Sequence, residues 1–478
     1  MTFIFIPIIA AIISLFVRKK VWLLETVAVA AILLLLVYSI NISLLVIQFG
    51  SLSLGPYFYV DALGAIMLLI VTVIGLAAGV YSVGYLREEV KKNIVGFRRV
   101  KQYFILLHFF ILAMMFAVST TNPILMWVGI EATTLSTAFL ISFYNKPKGT
   151  EAAWKYLMIN SIGLLFAFFG TLLYLTSVQA PTSGLINWQT LILNARNLNP
   201  IIAKMAFVFI IVGYGTKVGL SPMHTWLPDA HSNAPAPISS LLSGVLLNVA
   251  FMAILRFKIV TDLAIGSSYS EKLFIGFGLL SLVISAFIIF VQKNYKRLLA
   301  YSSIEHMGIV SLGIGFGGIG VFASILHMIY HSLTKSLMFF SAGNIFLKYS
   351  STKINNIKGV LKTLPITGII FFVGFLAIVG IPPFGLFITE YYIGLAGISV
   401  YPVLTIIFIV FLVLVFIGML KQITGMLFNK PQDEIETGES NVWTVAPLVA
   451  LTILLFILSI YMPTGLKTLI STAALALK

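Results

Sequence analysis

The 478-residue sequence contains no cysteine. That absence excludes disulfides, thiolate zinc sites and iron–sulfur clusters held by cysteine in the ordinary way. If the protein works in a redox system, other chains carry the electrons. Charge is scarce as well: Asp, Glu, Lys and Arg make up 9% of residues, against roughly a quarter in a typical soluble domain. Acid is the scarcer sign, 15 residues against 30 basic ones, for a formal net charge of +15. With 60% apolar residues and a mean hydropathy of +1.06, there is too little polar surface to cover a soluble fold. Lipid must be the solvent for most of the chain. The first apolar run also lacks a basic region ahead of it. Its positive cluster, Arg18, Lys19 and Lys20, comes afterwards, which reads as a membrane anchor with its N-terminus outside and not as a cleaved signal peptide. In a soluble chain this excess of base would suggest nucleic acid. Here the basic residues sit in short loops between apolar runs, so the membrane accounts for them and no nucleic-acid partner is expected.

A bilayer core needs about 20 apolar residues per helix. Fourteen segments meet this, at about 2–17, 22–48, 61–84, 103–120, 122–144, 152–177, 202–221, 236–257, 273–291, 296–315, 320–346, 364–398, 402–427 and 443–463. The expected fold class is an all-α polytopic membrane protein. Positive charge tests the count, because Lys and Arg concentrate in cytoplasmic loops. Loops after odd-numbered segments hold twenty-one Lys and Arg; the opposite side holds seven. The remaining two, Lys217 and Lys335, fall inside segments. One missed helix would scramble this split. It places both termini on the outer face of a cell membrane.

Two segments are abnormal. Segment 7 is interrupted by Gly219 and Pro222, and segment 12 by Gly380, Pro382 and Pro383. Proline removes an amide donor and clashes with the preceding turn, so both helices should break. Broken membrane helices persist only where protein or water satisfies the freed backbone groups. Breaks at matching places in two halves point to inverted repeats with an ion path between them. Segments 4–8 and 9–13 would be those halves, since five crossings invert topology. The expected organisation is 1–101 for segments 1–3, 102–260 and 270–428 for the two repeats, and 440–478 for segment 14.

Four charges lie at bilayer depth: Glu131 in segment 5, Lys217 at the first break, Lys335 in segment 11 and Glu390 after the double proline. Each is costly unless it faces the bundle interior and finds a partner. One reading is ion pairs that lock helices together; the other is an ion path. His327, His331 and Lys335 follow at intervals of four, on one helix face, and each can bind and release a proton. A zinc reading of the two histidines lacks the Glu of the metalloprotease motif, since Met328 stands there. No metal site is expected. Haem ligation by His108, His306, His327 or His331 is conceivable, but two histidines on one helix face cannot clamp both sides of an iron. His108 alone reads as a packed histidine. After the first break, His224, Asp229 and His231 make a titratable cluster, and Glu305 and His306 start into the membrane from the same face. These five are candidates for proton uptake; a capped re-entrant turn is the bland alternative.

These segments resemble the antiporter-like membrane subunits of respiratory complex I, membrane-bound hydrogenases and multisubunit cation/proton antiporters. The resemblance rests on Glu131, then GTKVGLSPMHTWLPDAHSNAPAPISSLLSGVLL, KRLLAYSSIEHMG, HMIYHSLTKSLMFFSAGN and GIPPFGLFITE ending at Glu390. It spans about residues 120–390, and GTKVGLSPMHTWLPDAH, SSIEHMG and PPFGLF look most like the hydrogenase-4 branch. The resemblance implies a polar axis through the membrane centre. Glu131 and Lys217 would be its input pair, His327, His331 and Lys335 its central relay, and Glu390 its exit group. One departure is Asn248, where many members carry Lys or His. The chain also leaves no room after segment 14 for the long lateral helix of the distal complex I subunit.

The expected function is translocation of protons, or of sodium, within a redox-driven complex of the NADH/quinone oxidoreductase or group-4 hydrogenase type. The redox cofactors would lie in peripheral partner subunits and none in this chain. Other membrane subunits, including related antiporter-like chains, would be its neighbours, together with lipid. The alternatives are a subunit of a sodium/proton antiporter without a redox partner and a haem cytochrome carrying electrons.

Overall fold

In lipid every backbone amide must be satisfied within its own segment, and a chain this apolar folds accordingly as helices. The computed structural model describes all residues except 1, 54, 177, 179–185, 431–434 and 478. The first six helices are α1 (Thr2–Phe16), α2 (Val21–Phe49), α3 (Ala62–Lys91), α4 (Phe97–Ser119), α5 (Pro123–Ile141) and α6 (Pro147–Leu175). A short helix, α7 (Trp188–Asn194), precedes α8 (Pro200–Val218) and α9 (Trp226–Asn233). Next, α10 (Ala236–Leu241) runs through a π turn at Leu242–Leu246 into α11 (Leu247–Ile265). Then come α12 (Ser267–Val291), α13 (Tyr295–Phe316), α14 (Ile319–Tyr349), the single turn α15 (Val360–Thr363), α16 (Pro365–Ile378) and α17 (Gly385–Val400). Last are α18 (Pro402–Phe428), α19 (Val442–Ile460) and α20 (Thr464–Ala476). A small antiparallel hairpin, β1 (Ser51–Ser53) with β2 (Tyr59–Asp61), lies in the loop after α2.

Several helical starts have a local cause. Asn122 and Asn199 cap α5 and α8 through their side-chain oxygens, and the prolines that follow them fit the first helical position. Asn294 and Asn441 cap α13 and α19 in the same way. Among the described residues, ten helices are long and apolar enough to cross a membrane, so the chain is a membrane protein. α1, α16 and α17 are shorter, while α13 and α14 have the length but a diluted hydropathy. The polar groups that α13 and α14 carry inward are the reason.

Both expected breaks occur. α8 stops at Gly219, which adopts the left-handed conformation (φ 80°), and the chain turns before α9. The long twelfth segment is two helices, α16 and α17, parted at residues 379–384. There Gly380 has φ 67° and lies against the Glu390 carboxyl group, where any Cβ would collide with it. Small residues set the packing elsewhere. A Cβ on either Gly278 or Gly308 would stand 2.8 Å from the other's carbonyl oxygen, so the backbones of α12 and α13 touch.

Connecting segments sort into two sets at opposite ends of the helices. One set joins 50–61, 120–122 and 186–199: Thr121 N–H donates to Tyr57 O and Trp188 N–H to Thr121 O. Asp61 pairs with Arg256 there. The Lys/Arg-rich set includes Lys101 bonded to Val17 O, Lys92 to Leu347 O and Lys348 to Gly438 O.

Candidate functional site

Lys217 is fully buried in the last turn of α8, where the carbonyl end of the helix favours a cation. Its ammonium donates to Thr134 Oγ1 at 2.8 Å and to Tyr156 Oη at 2.6 Å, and it lies 4.6 Å from the centre of the Tyr156 ring. Glu131 sits one turn before Thr134 on α5. Its Oε1 accepts from Ser161 Oγ at 2.9 Å and its Oε2 from Thr134 Oγ1 at 3.5 Å. The expected direct pair between Glu131 and Lys217 is therefore a relay of three. Tyr156 and Thr134 fill the space around the ammonium, so the carboxylate reaches it through a hydroxyl. Glu131 is the partly exposed end of this group.

Lys335, midway along α14, is also fully buried. It donates to Leu299 O at 2.8 Å and to Ser302 Oγ, both on α13. Glu305 follows one turn after Ser302 on α13 and is buried as well. One face of α14 carries His327, His331 and Lys335, as their spacing indicates, and α13 supplies the opposing His306. His306 Nδ1 and His327 Nε2 are 2.9 Å apart in a hydrogen bond, and the ring centroids of His306 and His331 are 5.3 Å apart. His327 Nδ1 shares a hydrogen bond of 2.8 Å with Thr389 Oγ1, the neighbour of Glu390 on α17. A chain of groups thus runs from Lys335 through imidazoles to Glu390. The Glu390 carboxyl lines a groove of about 530 Å³ with Gly380, Tyr391, Thr405 and Phe408, open to the flank of the protein.

The five candidate uptake residues do not form one cluster. His224 Nδ1 meets Ser221 Oγ at 3.1 Å and its ring faces Tyr301. Asp229 is clamped by Lys155 at 3.3 Å and by Arg297. His231 is fully buried and stacks on Phe339 with centroids 4.9 Å apart. Glu305 and His306 lie beside the relay and not at its mouth, because α13 begins at Tyr295 and ten helical residues carry them about 15 Å inward. Asn248 donates to Ser332 Oγ at 2.8 Å and to Met328 O at 3.2 Å. It ties α11 to α14 beside His331, just after the π turn, and Ser243 meets Ser303 at 2.7 Å nearby. The groups missed from the sequence are hydroxyls: Thr134, Tyr156, Ser161, Ser302 and Thr389. The signal was present in Glu131 and Thr134, which share a helix face at i, i+3.

His306, His327 and Glu390 bring ligand-type atoms within 4.8 Å of one another. The mutual hydrogen bond of the two imidazoles fits a proton relay, and nitrogens 2.9 Å apart leave no place for a porphyrin between them. His108 lies on α4, remote from these histidines in the chain, buried and with no hydrogen-bond partner among the described residues.

Apolar helices around two enclosed lysine centres, each close to a broken helix, define a polytopic membrane protein with an ionisable interior. Residues 119–418 match the family described as NADH:quinone oxidoreductase/Mrp antiporter, TM, and residues 46–93 match the N-terminus of chain 5 of NADH-ubiquinone oxidoreductase (complex I). The chain belongs to this NADH:quinone oxidoreductase/Mrp antiporter family of membrane subunits. It is 36% identical over 414 residues to a hydrogenase-4 component F homolog of Methylacidiphilum infernorum, covering 86% of each chain. Its fold superimposes with a TM-score of 0.87 on a chain of the membrane-bound sulfane sulfur reductase, an archaeal respiratory membrane complex, at 24% identity over 99% of this chain and 96% of the other. A chain of the Mrp complex from Dietzia gives a TM-score of 0.86 at 18% identity, with the same coverage. At those identities the likeness is one of fold. Both neighbours are chains of multisubunit membrane complexes.

Proposed function

We propose that this chain translocates protons across the cell membrane as one subunit of a redox-driven complex. The observation that carries the reading is how the two lysines are held. Lys217 and Lys335 are each fully enclosed, yet among the described residues each ammonium bonds only neutral oxygens. A helix-locking ion pair would place a carboxylate directly on the ammonium. Here the carboxylates Glu131 and Glu305 stand one group further away. Burial disfavours any ammonium and a carboxylate at hand favours it. A change in the Glu131–Thr134–Lys217 link therefore decides whether Lys217 keeps its proton. A proton released there moves past Asn248 towards α14, and Lys335, the imidazoles and Glu390 pass it outward.

In this reading the chain crosses the bilayer fourteen times, with α8 and α9 together forming one crossing and α16 and α17 another. Helices α4–α11 and α12–α18 form the two inverted repeats, and both termini face outward. Peripheral redox subunits hold the cofactors, this chain holds none, and its lateral neighbours are lipid and other antiporter-like subunits. The similarity to a hydrogenase-4 component supports such a setting. The experiment is proton uptake by the intact complex in sealed vesicles, measured per electron transferred. Uptake should persist in sodium-free buffer and vanish in Lys335→Ala. Native uptake without Lys335 sinks the proposal, and a strict sodium requirement turns it into sodium transport. Single introduced cysteines and an impermeant thiol reagent test the topology against a clean background, because the chain has no native cysteine. Outer-face labelling at 92–96 would overturn it.

A further inference from the structure

We propose that Glu89, Lys296 and His231 form the uptake branch that feeds protons to Lys335 from the Lys/Arg-rich face, an inference that rests on the translocation reading above. The four groups come from four different elements, α3, α13, α9 and α14, and converge in the interior. Glu89 looks in the sequence like one more loop charge, in REEVKK. It is fully buried, because α3 continues to Lys91 and turns Glu89 inward. Its Oε1 accepts from Tyr144 Oη at 2.5 Å, and Tyr144 meets Tyr85 Oη at 3.0 Å. Its Oε2 has no hydrogen-bond partner among the described residues. The exposed turn at 91–94 begins just after it, so the carboxyl group sits one layer beneath the surface.

Lys296 is the next group inward. It is 3% exposed, its ammonium donates to Ala234 O at 3.3 Å, and it lies 5.0 Å from the centre of the Phe346 ring. Lys92, three residues after Glu89, bonds Leu347 O, and Phe346 just before it lies under the Lys296 ammonium, so Glu89 and Lys296 approach the same turn of α14 without an ion pair among the described residues. Ala234 lies just beyond the end of α9, three residues after His231, so the same bond places Lys296 beside that helix. His231 stacks on Phe339, one turn after Lys335 on α14, which brings its ring to that lysine's helix. Both of its ring nitrogens lack hydrogen-bond partners among the described residues.

A structural lock would satisfy these groups. Buried polar atoms are nearly always hydrogen-bonded, and each exception calls for a reason. Here one carboxylate oxygen on α3 and both imidazole nitrogens on α9 are left over, and both helices touch α14, the helix of Lys335. Polar interiors of this kind commonly hold bridging water, which closes such gaps for proton transfer. The steps balance with one proton and no electron each. Neutral Glu89 gives its proton to the free amine of Lys296. The ammonium so formed gives one to neutral His231, and the imidazolium gives one to the free amine of Lys335. The Glu89 carboxylate reloads from the Lys/Arg-rich face. The branch also explains why His231 needs neither His224 nor Asp229, which are engaged elsewhere.

The test uses the whole complex with Glu89→Gln and His231→Phe made separately. Gln still accepts from Tyr144, and Phe keeps the stack on Phe339 while giving up no hydrogen bond. Both variants should assemble with native yield and melting temperature, and proton uptake per electron should fall by about a hundredfold, the scale of a lost acid–base group. Lys335→Ala is measured beside them. If it abolishes uptake while either assembled variant pumps at the native rate, the branch is wrong and the translocation reading stands. If Lys335→Ala also pumps normally, the translocation reading fails and the branch with it. Loss of yield in both Glu89→Gln and His231→Phe would assign these groups a structural role and overturn the branch.

Discussion

The two lysine centres answer the same problem with different chemistry. Around Lys217 the partners are hydroxyls, and the carboxylate stands at the partly exposed edge of α5. Around Lys335 the partners are a carbonyl and a serine, and three imidazoles separate the lysine from the buried Glu390. A hydroxyl bridge has one rotatable proton and two heavy-atom neighbours, so it suits a gate that is made or broken. An imidazole accepts on one nitrogen and donates from the other, so a row of them suits conduction. On the translocation reading, the difference assigns switching to the first centre and conduction to the second. Two broken helices in one chain need not carry matching side chains around them.

The contrast breaks most visibly at its far end. Glu390→Gln should leave assembly intact, since Gln keeps the shape of the side chain, and should lower proton uptake by about a hundredfold. Full pumping with Gln there would make Glu390 structural and shorten the conducting row. The next test concerns the switch. Glu131→Gln and Lys217→Ala should each uncouple the complex, and the double variant should be little worse than either single one, because both act on one function. Uptake defects that add independently, or a lost yield of complex in the singles, would replace the switch by a structural pair. A smaller effect comes from the bridge itself. Thr134→Val removes the hydroxyl and keeps the shape, leaving Lys217 on Tyr156, and uptake should fall by about tenfold, the cost of roughly one charge-assisted hydrogen bond. Ser302→Ala should cost less, a few-fold, because Lys335 keeps the Leu299 carbonyl. Equal losses in these two variants would erase the distinction between the centres.

Much of this was legible in the sequence, for physical reasons. Lipid forces long apolar runs, so the crossings announce themselves. Proline and glycine punctuate Gly219–Pro222 and Gly380–Pro383 because the helix cannot continue there. The face shared by His327, His331 and Lys335 follows from helical geometry alone. The rest depends on how helices are turned towards one another. Thr134 bridges Glu131 and Lys217 only because α5 and α8 present those faces to each other across Tyr156. Glu89 lies beyond the apolar run of segment 3 at 61–84, so the sequence gives no sign of its burial, whereas α3 runs to Lys91 and turns it inward. The short helices α7 and α20 escaped notice because neither has the length of a crossing. α20 covers the interior through Leu469, Ile470 and Ala473, and Lys258 bonds the carbonyl of Leu477 just after it.

The contact of backbone on backbone at Gly278 and Gly308 bears on speed. Helices that touch without intervening side chains have no soft layer in which to slide. α12 and α13 are therefore closely seated on each other, and α13 carries Ser302, Glu305 and His306. Any change of state within this half is left to side-chain rotation and to the ends of α16 and α17 at their break. Side-chain rotations take picoseconds to nanoseconds where there is room, whereas rocking of whole domains takes microseconds to milliseconds. On the translocation reading, variants that add a side chain at Gly278 or Gly308 should disturb packing long before they change the chemistry of the relay.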